Sequence, residues 1–107
     1  MTRSDRLALL LSLLALLVSW WMAANIFENM GHIEDEHAYI WQARVIARGQ
    51  LTTPSPVEAE KFLVPFVIDY QGQRFGKYPL GWPVMLSFGI RLGLRGLVNP
   101  LLAAIAV

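Results

Sequence analysis

Three consecutive acids, Glu34-Asp35-Glu36, are the residues best suited to chemistry. Adjacent carboxylates repel, and this raises the affinity of at least one of them for a proton or a cation. Such a carboxylate could act as general base on an acceptor hydroxyl or amine. It could also hold a divalent metal through oxygen. The same residues suit a structural task equally: Asp35 is a good helix N-cap, and Glu36 in a first turn complements the helix dipole. His32 and His37 flank the acids, but their spacing is not the helical His-Glu-x-x-His arrangement, so a zinc site is not expected. A second element is Gly76-Lys77-Tyr78-Pro79-Leu80-Gly81-Trp82-Pro83. Its prolines and glycines make a rigid turn. Lys77 in that turn could neutralise a phosphate, or simply snorkel to a lipid–water boundary.

These residues must be positioned by apolar elements. The 107 residues are 55% hydrophobic and 16% charged, which excludes a disordered chain. The absence of Cys excludes disulfide scaffolds, thiol enzymes and cysteine-ligated metal sites, and a net charge of +1 gives no footprint for nucleic acid. From Leu7 to Ile26 there is no charge, and the run would span about 30 Å as a helix, matching a bilayer core. Trp20 and Trp21 near its far end suit the interface. The stretch is longer than the apolar core of a signal peptide, so a retained transmembrane helix over 7–27 is expected.

A second, short transmembrane helix is expected over 82–94, with Arg91 and Arg95 reaching the inner headgroups. Residues 98–107 read as the start of a third helix, which implies a chain that continues into a longer protein. Arg3, Arg6, Arg91 and Arg95 then lie on one side. Their density orients the N-terminus to the cytoplasm and the loop 28–78 outward. An inner (plasma) membrane location follows.

Within that loop a helix is predicted over 35–48, with Gly49 as its stop. Asp35, Tyr39, Gln42, Ala43 and Ile46 share one face; His37, Trp41, Arg44 and Arg48 share another. The second stripe suits either a helix lying on the membrane or one covering its own loop core. Pro54 and Pro56 keep the next segment extended. Phe62 to Ile68, followed by Tyr70 to Phe75, reads as a short hairpin, with Pro65 confining its first strand to an edge.

The order of these elements resembles the N-terminal part of the multi-pass membrane glycosyltransferases that use polyprenyl-phosphate sugars. Among these are the protein O-mannosyltransferase and aminoarabinose transferase families. The matching residues are Asp35-Glu36-x-x-Tyr39-x-x-x-Ala43, Gly49 and Lys77-Tyr78-Pro79-Leu80-Gly81-Trp82-Pro83. The resemblance extends from Ser4 to Val107, and Leu80 departs from it where a second proline is common. It implies an all-α membrane protein: a truncated bundle of the GT-C type with a first transmembrane helix, an outward loop, a short second helix and part of a third. It implies Asp35 as catalytic base, with Glu36 supporting it or binding acceptor. Lys77, Tyr39 and Tyr78 would bind the donor phosphate and substrate. The partners implied are a polyprenyl-phosphate sugar donor, a lipid, glycan or protein acceptor, and membrane lipids. No cofactor is required, although a divalent metal is compatible with the acids. The isolated segment is expected to be inactive. The competing expectation is a small non-enzymatic membrane protein that packs against a partner through its Trp and Gly residues.

Overall fold

The computed structural model describes residues 1–107, which form two units: Met1–Met30 with Leu94–Val107, and Gly31–Gly93.

The first unit is a long helix paired with a short one. Helix α1 covers Arg3–Asn25. Its start is fixed by a reciprocal cap, in which the Thr2 N–H donates to Asp5 Oδ2 (2.7 Å) and the Asp5 N–H to Thr2 Oγ1 (3.1 Å). None of its residues is buried, and its 23 residues are long and apolar enough to cross a membrane, a property shared with signal sequences. Beyond α1 the backbone reverses through Glu28 and Asn29, both left-handed (φ 52° and 53°). A 3₁₀ turn at Arg95–Leu97 leads into the last helix, Val98–Ala106, which packs along α1. The Arg95 guanidinium donates to the Asn29 carbonyl. The chain therefore leaves this unit and re-enters it at neighbouring points.

The second unit holds helix α2 (Glu34–Ala47), strands β1 (Thr53–Pro54), β2 (Val67–Tyr70) and β3 (Gln73–Gly76), and helix α3 (Gly81–Arg91); the last helix of the chain is then α4. The antiparallel sheet has the order β1-β3-β2. Gln71 and Gly72 link β2 to β3, and both are left-handed (φ 49° and 75°). A two-residue loop with positive φ at both positions matches the twist of a hairpin. Arg74 in the central strand faces Asp69 and forms two bonds to its carboxylate, Nε to Oδ1 (2.8 Å) and one from the terminal nitrogen to Oδ2 (2.9 Å). It also donates to the Phe62 carbonyl at 2.8 Å, tying the preceding loop to the strand. Ser55 Oγ donates to the same Asp69 carboxylate (2.7 Å). Arg74 first, then Ser55, hold the Asp69 carboxyl below its ordinary 3.8.

Helices α2 and α3 pack side by side through small residues, Ala38 and Ala43 on α2 and Ser87 and Gly89 on α3, joined by Val45 and Leu86. Arg91 closes the far end by donating to the Ala47 carbonyl (3.0 Å).

One expectation changes. The chain is mainly helical, but the sheet departs from an all-α class, because the Gln71-Gly72 turn and the Asp69–Arg74 pair give the hairpin its own support. The helix expected over 82–94 forms as α3, whose 11 residues rise about 16 Å and pack on α2 along one side. Arg95, expected to reach the inner headgroups, donates to the Asn29 carbonyl just beyond the end of α1.

Candidate functional site

Helix α2 begins one residue earlier than its acids suggest. Ile33 occupies the cap position, so Asp35 is the second helical residue and Glu36 the third. A glutamate at the third position reaches back to the free amides of the first turn. Glu36 Oε2 accepts from the N–H groups of His32 (2.5 Å) and Ile33 (3.4 Å). The expected capping role thus falls to Glu36 rather than Asp35, and the adjacent acids are separated in function. The helix stops at Gly49 as expected, with φ +79° and its N–H on the Ile46 carbonyl (2.8 Å).

Asp35 is half-buried and meets a residue far along the chain. Tyr78 Oη donates to Asp35 Oδ1 at 2.8 Å. The bond uses one carboxylate oxygen and leaves Oδ2 for a second donor. Tyr39, one turn after Asp35, lays its ring against that of Tyr78, with centroids 4.9 Å apart and planes at 34°. The hydrogen bond to Asp35 is the main cause that pushes the Tyr78 phenol up to about 12, with partial burial and the negative charge of Asp35 adding to it. At neutral pH Tyr78 is therefore a firm proton donor to the carboxylate.

Lys77 is exposed beside this pair. Its Nζ lies 5.2 Å from the Phe66 ring centroid and 5.7 Å from that of Tyr78, within range of both ring faces. Phe66 holds a left-handed backbone (φ 60°), unusual for a bulky residue, and its carbonyl accepts the Lys77 N–H at 2.8 Å. Its ring also lies 5.7 Å from that of Tyr78. This conformation places an aromatic wall on one side of the ammonium.

Of the residues singled out in the sequence, Asp35, Tyr39, Lys77 and Tyr78 come together, and Glu36 does not join them. Two contributors went unrecognised. Phe66 carries no sequence signal for its conformation. Gln42 does: it is a polar residue on the inward stripe of α2. No group of three or more His, Cys, Asp or Glu side chains gathers. The arrangement is a half-buried carboxylate with a phenol donor, bordered by one exposed cation. No family model matches the chain, nor does any curated protein or solved structure.

Proposed function

We propose that this chain supplies the carboxylate centre of a membrane glycosyltransferase that takes a sugar from a polyprenyl-phosphate donor on the outer face of the inner membrane. The observation that carries the reading is the Tyr78–Asp35 hydrogen bond, because it folds the Lys77-Tyr78 turn against the acid. Asp35 would take the proton of an acceptor hydroxyl or amine as that atom bonds to the anomeric carbon. The carbon–oxygen bond to phosphate breaks, and the polyprenyl phosphate leaves with the electron pair. Lys77 offers its charge to that phosphate. Tyr78 fixes the carboxylate's orientation.

The topology belongs to the same proposal. The contact of Asn29 with Arg95 supports a topology in which the segment between them leaves and returns on one side of the bilayer, without α3 crossing it. Arg91 and Arg95 then drop out of the inner-side count, so Arg3 and Arg6 alone favour a cytoplasmic N-terminus.

The test uses membranes from cells expressing the natural reading frame. Asp35→Asn is expected to abolish sugar transfer from a polyprenyl-phosphate donor while insertion and abundance stay unchanged. Undiminished transfer refutes the assignment. Impermeant labelling of a cysteine placed at Glu34 should occur from the outer side; labelling from the cytosol overturns the orientation.

A further inference from the structure

Gln42 is among the largest fully buried side chains, with 2% of its surface exposed. A polar group so deeply placed is costly unless both ends of its amide are bonded. Both are. Oε1 accepts from the Gly76 N–H at 2.6 Å, and Nε2 donates to the Leu51 carbonyl at 2.9 Å. Because the Gly76 N–H can only donate and the Leu51 carbonyl can only accept, one orientation of the amide satisfies both.

The two anchors matter for where they lie. Gln42 shares a face of α2 with Asp35 and Tyr39. Gly76 ends β3, immediately before Lys77 and Tyr78. A single side chain thus joins the helix bearing the carboxylate to the strand end bearing the phenol and the ammonium. The approach is close enough that any side chain at position 76 would press on Gln42. A Cβ at Gly76 would lie 3.0 Å from Gln42 Oε1 and 3.4 Å from Gln42 Cβ. An apolar side chain of similar volume would fill the space but would tolerate sliding, whereas a hydrogen bond fails over a few tenths of an ångström to an ångström.

We propose that Gln42 and Gly76 form a clamp that sets Tyr78 and Lys77 in register with Asp35, making Gln42 a positioning residue of the centre. As a role in catalysis this rests on the transferase reading; as a geometric device it stands apart from it. The experiment therefore reads geometry rather than turnover.

The full chain in detergent micelles is titrated by tyrosinate absorbance. Of its three tyrosines, one should ionise late, at about 12, and Tyr78→Phe should remove that late step. Gln42→Met keeps the volume and loses both bonds. It is expected to bring the late step down towards the ordinary value of about 10 while helical circular dichroism at neutral pH is retained. Gly76→Ala should lower it as well, with Gln42 intact. A late step still at about 12 in a helical Gln42→Met protein overturns the clamp. If Gln42→Met loses its helical signal, Gly76→Ala decides: a lowered step supports the clamp and an unmoved one overturns it. Failure of sugar transfer in the wild type would remove the enzymatic reading and leave these titrations unaffected.

Discussion

The two units are held by different means. In Met1–Met30 with Leu94–Val107, α1 buries no residue, and Leu9, Leu13 and Leu17 are each about half exposed or more (58%, 54% and 49%). In Gly31–Gly93 the buried apolar residues are few and mostly small, Ala38, Ala43, Val45 and Leu86. Its geometry comes instead from three polar side chains, each spanning distant segments: Gln42, Arg74 and Tyr78. The contrast follows from solvent. A helix that satisfies its own backbone can leave an apolar surface to lipid. A small unit with little apolar area to bury must define its shape through directional bonds.

Removing one of those bonds should have the largest effect. Arg74→Met leaves Asp69 and the Phe62 carbonyl without their guanidinium and should cost about 2–3 kcal/mol, read as lost amide protection across Val67–Gly76. Unchanged protection there would break the contrast, because the polar ties would then be incidental. Acid offers a gentler version. The Asp69 carboxyl titrates below 3.8 in the folded chain, so its contribution is complete above the unfolded value of about 4 and is lost as pH falls through the lower, folded one. Amide protection of the hairpin, taken relative to intrinsic exchange at each pH, should fall below about pH 4, and Arg74→Met should flatten that dependence. The smallest effect is expected in the other unit. A Cβ at Gly96 would meet the end of the Asn29 side chain, which is free to swing aside. Gly96→Ala should therefore shift thermal unfolding by under about 1 kcal/mol, less than Gly76→Ala, where the obstructing Gln42 oxygen is already committed to a bond.

The elements that announce themselves locally were legible from residues alone. The uncharged run located α1, although the helix starts four residues before it at Arg3, and the stripe from Asp35 to Ile46 with Gly49 beyond it located α2 to within one residue at each end. A hairpin could be read, but its first strand is Val67–Tyr70, after Pro65 rather than through it, and β1 could not be read, since Thr53-Pro54 is too short to carry an alternation. The apolar residues after Trp82 located α3, but its packing on α2 was not legible, because hydrophobicity records burial without saying in what. At the site, Asp35, Tyr39, Lys77 and Tyr78 were nameable by type. Their meeting was not, because it depends on a bond between positions 35 and 78 and on an amide at 42 that looks like an interruption of an apolar stripe.

The bond from Arg95 to Asn29 has an evolutionary consequence. A stretch of polypeptide whose entrance and exit adjoin can be lengthened, exchanged or deleted with little disturbance to the helices that carry it. Residues 31–93 are, in that sense, a cassette.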